Sequence, residues 1–284
     1  MNTKTPGNSK TVTKRSGEES PFNRRKLELS LRRSGANEAM VHRVADEIEN
    51  SLHDKASTQE IYKKAFAMLR KGSRHMAARY NLKKALYDLG PTGYPFEHFI
   101  AEILRHQGFE TQVDVIVQGQ CVNHEVDVVA HKDKKHFMIE CKFHSDQSRF
   151  CDVKVPLYID SRFRDIDKKW MKEKQESKRF HEGWIFTNTR FTSDAIDYGN
   201  CCGLKLVGWN YPPRNGLKER VDALGLHPIT SLTTLTQEEK SGLLENKTIL
   251  CKELCLNPEV LDLIGMSTLR KKRILEEAQL VCNL

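Results

Sequence analysis

Residues 124–142 read HEVDVVAHKDKKHFMIECK, and this stretch decides the fold of the central part of the chain. Two apolar segments, VDVVA at 126–130 and FMIECKF at 137–143, flank the polar run KDKK at 132–135. Apolar runs of this length around a polar cluster predict two adjacent strands joined by a hairpin turn.

Three charged side chains interrupt these apolar strands. Asp127 lies in the first strand, and Glu140 and Lys142 lie in the second. Because side chains alternate along a strand, Glu140 and Lys142 are expected on one face, opposite Ile139 and Cys141. A buried charge without a partner costs about 3–5 kcal/mol. Two carboxylates and an ammonium at one point can hold a divalent metal and activate a water, as phosphodiester hydrolysis requires. A purely structural Glu–Lys pair is the alternative interpretation.

The length and composition indicate a soluble globular chain. The 284 residues suffice for two or three small domains, and 38% of them are hydrophobic. No apolar run approaches the roughly 20 residues that cross a membrane. The polar start of the chain lacks the apolar region of a secretory signal, so we expect a cytoplasmic protein without a membrane partner.

The eight cysteines are expected to be reduced thiols in that compartment. Cys121 and His124 have a spacing typical of metal ligands, but no second pair completes a zinc site. The sequence therefore favours buried free cysteines over structural zinc.

The net charge of +8 is concentrated near the start of the chain. Residues 1–90 contain 19 Lys and Arg against 10 Asp and Glu, whereas residues 91–213 contain 17 against 18. A basic excess of this size predicts an anionic partner, either a nucleotide or a nucleic acid.

Changes in composition and the glycine- and proline-rich turns along the chain predict four segments. Residues 1–10 are expected to be a disordered tail, and residues 11–90 to be a mostly helical unit that begins with two short strands. Gly90-Pro91-Thr92-Gly93 is the clearest boundary. Residues 91–213 then alternate helices and strands in the order α-β-β-β-α-β-α-β, and residues 214–284 are helical.

The predicted elements define the fold class. Helices are expected at 24–34, 38–53, from 57 or 58 onward, and at 73–89 in the first unit. The central unit is expected to be an α/β core with a mixed sheet flanked by helices. In the last unit, LIGMSTLRKKRIL has the shape of a helix–turn–helix hairpin that could contact a DNA phosphate. A small helical bundle packed on the core is the alternative.

The central unit resembles the Mrr-like branch of the PD-(D/E)xK restriction endonuclease superfamily. The resemblance is carried, in order, by GYPFE, HEVDVV, IECK, WIFTNTRFTSDAIDYG and LKLVGWNYP. It implies a Mg²⁺- or Mn²⁺-dependent cut in DNA, with Asp127 and Glu140 as metal ligands and Lys142 as the site lysine. It further matches Glu97 to an acidic residue on the first helix of some members, and the backbone carbonyl of Cys141 could add a ligand. The proline of the family name is absent, because Val126 precedes Asp127.

The first unit resembles an ATP-cone domain, a nucleotide-sensing module. The matching segments are VTKRSG, PFNRRKLELSL, STQEI and AARYN, which span residue 12 to about residue 85. The resemblance implies that ATP or dATP binds through Lys14, Arg15 and Lys26, with Asn23 and Thr58 as further contacts. The usual KRDG is KRSG here, so one acidic position is missing. A basic hairpin that binds DNA backbone is the alternative.

Together these features predict a nucleotide-regulated, Mg²⁺-dependent DNA endonuclease, of use in restriction or defence and expected to form a homo-oligomer. A nucleotide-responsive DNA-binding regulator with a non-cleaving nuclease fold is one alternative. A structure-specific repair nuclease or resolvase is another.

Overall fold

The computed structural model describes residues 10–14, 17–173 and 179–282 of the chain. The predicted tail therefore lies almost wholly outside the described residues. In the first unit, a three-stranded sheet of order β2-β1-β3 lies beside five helices. These elements are β1 (Thr11–Thr13), β2 (Glu19–Pro21), α1 (Arg24–Arg33), α2 (Glu38–Ser51), β3 (Ala56–Ser57), α3 (Thr58–Gly72), α4 (Arg74–Tyr80) and α5 (Leu82–Tyr87).

Side-chain caps set where these helices begin. The side chains of Asn23, Asn37 and Ser57 each accept a hydrogen bond from a backbone N–H in the first turn of α1, α2 and α3. The helix predicted at 73–89 is interrupted at Asn81. The buried side chain of Asn81 accepts a hydrogen bond from the Tyr62 hydroxyl, an interaction across the unit that helical periodicity does not reveal.

The central unit is built on a five-stranded sheet of order β10-β8-β6-β5-β4. The sheet is mixed, as the sequence predicts. Strands β4, β5 and β6 are antiparallel, while β6, β8 and β10 are parallel. Its elements are α6 (Tyr94–His106), β4 (Glu110–Gln118), β5 (Asn123–Lys132), β6 (Lys135–Lys142), β7 (Phe150–Cys151), α7 (Lys154–Glu173), β8 (Phe180–Thr187), β9 (Arg190–Phe191), α8 (Ser193–Cys201) and β10 (Lys205–Val207).

Apolar cores lie on the two faces of this sheet. Helix α6 buries Phe96, Phe99 and Ile100 against one face, together with Ile139 and Cys141 of β6. Helices α7 and α8 cover the other face, where Met138 is buried. The alternation predicted for the second strand is therefore confirmed, and it leaves Glu140 and Lys142 on the side of Met138.

The turn between β5 and β6 lies in the KDKK run, where the sequence predicts a hairpin turn. Lys132 pairs with Lys135, and the two residues between them, Asp133 and Lys134, have φ of 51° and 62°. Two positive φ values in a two-residue loop define a type I′ turn, whose twist matches that of the flanking strands.

The last unit is helical throughout its described part. It contains α9 (Leu217–Leu224), α10 (Gln237–Glu245), α11 (Cys251–Leu256) and α12 (Thr268–Cys282), with short 3-10 turns at Ile229–Ser231 and Pro258–Leu261. Helix α11 begins only at Cys251, because the carbonyl of Ile249 accepts a hydrogen bond from the N–H of Ile229 and holds this segment extended. No helix in the described ranges is both long enough and apolar enough to span a bilayer.

Candidate active site

The candidate site forms where β5 and β6 separate. Their backbone pairing ends at Val128 and Ile139. Beyond that pair, the N–H of Cys141 donates to Oδ2 of Asp127 at 2.6 Å. The Asp127 side chain thus replaces a backbone carbonyl as the acceptor. The parting of the strands therefore positions the first predicted carboxylate beside the second strand.

Glu140 is held by an arginine that the sequence argument did not identify. Nη1 of Arg162, on α7, lies 2.7 Å from Glu140 Oε2, and Nη2 donates to the backbone carbonyl of Glu125. Arg162 is only 8% exposed, and its Nε has no hydrogen-bond partner among the described residues. A buried arginine with two anchoring contacts fixes the position of the carboxylate it pairs with.

A second missed residue, Asp114, lies across from Asp127 on β4. Val113 pairs with Val128 and Val115 with Val126, so Asp114 faces the kink at Asp127. Its φ of 56° is in the left-handed region, where aspartate is one of the few tolerated residues. Asp114 also shares a side-chain hydrogen bond with Glu97 of α6.

Glu97 completes a cluster of four carboxylates. Burial, followed by the charges of Asp127 and Asp114, raises its pKa to about 8. Its Oε1 lies so close to Gly93 that a Cβ there would come within 2.9 Å of it. The glycine in GYPFE therefore leaves room for the Glu97 carboxylate.

The pKa values of the two strand carboxylates, Asp127 and Glu140, are both raised. Burial is the main cause that raises the pKa of Asp127 and of Glu140, and the charge of Asp127 raises the pKa of Glu140 further. Arg162 and then Lys142 act in the opposite direction on the pKa of Glu140. The structure thus brings together all four residues predicted to be catalytic: Asp127, Glu140, Lys142 and Glu97.

The donor chemistry of this cluster fits a hard divalent cation. In the part of the chain that the structure describes, no group of three or more His, Cys, Asp or Glu side chains is arranged so that it could hold a metal ion. Yet Asp127 Oδ1 and Glu140 Oε1 have no hydrogen-bond partner among the described residues. When carboxylates raise one another's pKa, a bound cation stabilises their ionised forms. Hard carboxylate oxygens are the ligands that Mg²⁺ accepts.

The residues predicted to contact nucleotide lie around the hairpin of the first unit. Thr13 pairs with Ser57, so Lys14 and Thr58 each lie one residue beyond the ends of the neighbouring strands β1 and β3. Lys14 forms an ion pair with Glu18 at 2.6 Å, and the charge of Lys26 also lowers the pKa of Glu18. Asn23 is occupied as the cap of α1, where it bonds the N–H of Lys26. Arg15 lies outside the described residues.

Comparison with known families assigns these units. The chain matches the ATP cone domain over residues 10–88, the Mrr-type restriction endonuclease domain over residues 91–156, and the AF1548-like C-terminal domain over residues 227–282. The protein is thus a restriction-endonuclease-like chain that carries an ATP cone.

One sequence relative and one solved structure identify the family to which the chain belongs. The chain is 37% identical over 183 residues to an uncharacterized protein of Archaeoglobus fulgidus, covering 64% of this chain and 99% of the relative. It is also similar to the crystal structure of AF1548, a protein of unknown function, with 36% identity and a TM-score of 0.56. That similarity covers 68% of this chain and 99% of the other. The chain belongs to this AF1548-like family.

Proposed function

We propose that the protein is a divalent-metal-dependent DNA endonuclease whose activity is controlled by ATP or dATP at the cone. The observation that carries the proposal is the convergence of Asp127, Glu140, Glu97 and Asp114, with Lys142 beside them. A cluster with this much negative charge is costly unless it binds a cation. The restriction endonuclease match supports DNA as the substrate.

Each residue has a role that follows from its charge and contacts. Asp127 and Glu140 would hold Mg²⁺ or Mn²⁺, and the bound ion would supply Lewis-acid charge to the phosphate. Lys142 is exposed at the end of β6, where its ammonium can offset charge on the reacting phosphate or orient the attacking water. Glu97 would join the ion directly or through water, and the Cys141 carbonyl is a further candidate ligand.

Arg162 and Asp114 serve as positioning residues. Arg162 holds Glu140 Oε2 and leaves Oε1 available. Asp114 holds Glu97 through their shared hydrogen bond. These contacts fix the direction of both carboxylates before substrate arrives, which is how a supporting shell tunes a metal site.

The test is cleavage of supercoiled plasmid in Mg²⁺, with and without ATP or dATP. Asp127→Asn and Glu140→Gln should abolish cutting and should remove Mn²⁺ binding measured by calorimetry. Asp133→Asn removes the same charge from the turn of the same hairpin, away from the site, and should cut normally.

The same experiment separates the other functions. Retained DNA binding without cutting, and without metal binding that depends on Asp127 and Glu140, would favour the DNA-binding regulator. Cutting confined to branched DNA, in a panel of plain, methylated, branched and single-stranded substrates, would favour a repair nuclease or resolvase. Preference for unmodified or methylated plasmid would support a role in restriction. Direct linear product would indicate a dimer with two sites, because each site cuts one strand.

A further inference from the structure

A cavity of about 680 Å³ lies where the cone, the nuclease unit and the C-terminal unit meet. Thr58 of α3 and Lys83 of α5 line it from the cone. Ser145, from the loop that follows β6, and Thr233 and Lys240, from the C-terminal unit, line the other walls. The volume lies within the range of about 300–1,000 Å³ that is typical of small-molecule sites.

The lining of this junction cavity is strongly cationic. Among the described residues that line it, five are basic and one is acidic, namely Lys63, Arg70, Lys83, Lys84, Lys240 and Asp88. Asp88 is already paired with Lys84. The described side chains offer no acidic partner to Lys63, Arg70 or Lys83. The surplus of positive charge favours an anionic ligand with several negative oxygens.

The cavity extends into a second cationic space. A neighbouring cavity of about 330 Å³ shares Arg70 and Thr233 with it and adds Lys71 and Arg74. The two cavities therefore adjoin at Arg70 and Thr233, and basic residues from the end of α3 and the start of α4 line them. Such an extended basic lining suits a chain of phosphate groups better than a single compact anion.

Aromatic rings line the same cavity. Tyr62 stacks on Phe66 with ring centroids 6.0 Å apart and on Tyr80 at 5.5 Å. Tyr62, Phe66 and Tyr87 all line the wall. Flat aromatic surfaces beside cations suit a ligand that has both a planar base and phosphates, because bases stack on such rings.

Two lysines in the wall are in a setting that an anion would improve. Lys83 remains reachable by water, yet it is surrounded by protein, and this desolvation lowers its pKa. Desolvation also lowers the pKa of the half-buried Lys240. Negative charge near either ammonium would offset the cost of keeping it charged.

The nuclease loop in the wall is joined directly to the candidate active site. Ser145 lies three residues after Lys142. Between them, His144 is fixed at both backbone groups by the buried Asn188: its N–H donates to Asn188 Oδ1 at 3.0 Å, and its carbonyl accepts from Nδ2 at 2.8 Å. A ligand that orders Ser145 and Gln147 would therefore limit the movement of the strand end that bears Lys142.

We propose that ATP or dATP, bound at Thr58 of the cone, occupies this junction cavity and is also held by the nuclease loop 143–149 and by Lys240 of the C-terminal unit. The nucleotide site is thus shared by all three units, and its occupancy determines how firmly Lys142 is placed. This inference rests on the proposed nucleotide control and specifies where that control acts.

The test measures ATP and dATP affinity by calorimetry on the full chain. Lys240→Met should weaken binding at least 10-fold, Gln147→Ala should weaken it several-fold, and Lys240→Arg should retain most of it. Lys272→Met, an exposed lysine of the same unit outside the cavity, should stay within 2-fold of the parent. Melting temperature and circular dichroism of each variant verify the fold.

Hydrogen exchange supplies the second readout. ATP should slow amide exchange in peptides covering residues 143–149 in the parent and not in Lys240→Met. If ATP binds both proteins equally and leaves 143–149 unchanged, the nucleotide is confined to the cone and the shared site is overturned. If no nucleotide binds the parent, the proposed nucleotide control fails as well, whereas plasmid cleavage without nucleotide still reports on the nuclease proposal alone.

Discussion

Glu97 is the residue in the cluster whose ionisation opposes folding most clearly. Its pKa is raised from 4.5 to about 8, mainly by burial and then by the charges of Asp127 and Asp114. The folded state therefore holds a proton that the unfolded state has released. Between about pH 4.5 and pH 8, the free energy of unfolding should fall as pH rises.

Glu97→Gln should remove this part of the pH dependence. In metal-free buffer, the variant should match the parent near pH 4.5 and should exceed it in stability at pH 8, because the amide never ionises. Urea unfolding at a series of pH values measures this difference. A parallel decline with pH in both proteins would contradict the assignment.

Arg162 stabilises the folded protein at the same site, whereas ionisation of Glu97 opposes folding. Arg162→Met removes the partner of Glu140 and of the Glu125 carbonyl, and should lower the free energy of unfolding by up to about 3–5 kcal/mol at neutral pH. The loss should shrink near pH 5, where Glu140 can take up a proton. Chemical denaturation measures both values.

The matched control on the same helix is Lys172→Met, which changes an exposed side chain. It should alter stability by less than about 0.5 kcal/mol. Equal losses in the two variants would show that Arg162 contributes only through general properties of α7.

At the scale of the element, the turn between β5 and β6 contains a residue that is poorly suited to its backbone conformation. Lys134 has φ of 62°, a conformation that favours glycine. Lys134→Gly should stabilise the protein by about 0.5–1 kcal/mol, because a left-handed conformation strains a residue with a Cβ. Thermal unfolding measures the gain. Lys135→Gly, one residue later in β6, should be destabilising instead, since glycine weakens a strand.

The same elements show how far the sequence could predict the site. The VDVVA and FMIECK strands, their turn and the positions of Asp127, Glu140 and Lys142 on them could be predicted, because apolar periodicity and inserted charges are local signals. Glu97 was matched only through the family resemblance, and the catalytic role of all four residues stays a prediction. Asp114 carries the same signal, a charge within the apolar run VDVIV, and could have been identified by applying that argument to β4.

Arg162 had no such signal. It lies 22 residues from Glu140 in the sequence, on a helix rich in charged residues. Only the packing of α7 over the sheet selects it from its neighbours. The junction cavity was unpredictable for the same reason, because three units far apart in sequence contribute to its walls.

At the scale of the whole molecule, Arg79 joins the cone to the last helix. Its guanidinium donates to the carbonyls of Leu280 and Val281 at the end of α12. Arg79→Met should cost about 1.5–3 kcal/mol, the usual range for hydrogen bonds to a charged group. Amide exchange should become faster in 268–282 and remain unchanged in the sheet. Arg74→Met, on the same helix and exposed, should leave α12 protected.

The contact between Arg79 and Val281 joins groups 202 residues apart in the chain. On a ribosome, Arg79 is made 202 residues before Val281, so part of the cone surface stays uncovered while the nuclease unit is synthesised. Long-range contacts of this kind slow folding, because a large loop must close before they form. The cone should therefore reach its final stability only after the nuclease unit and α12 have emerged, so it stays incomplete while the following unit is synthesised.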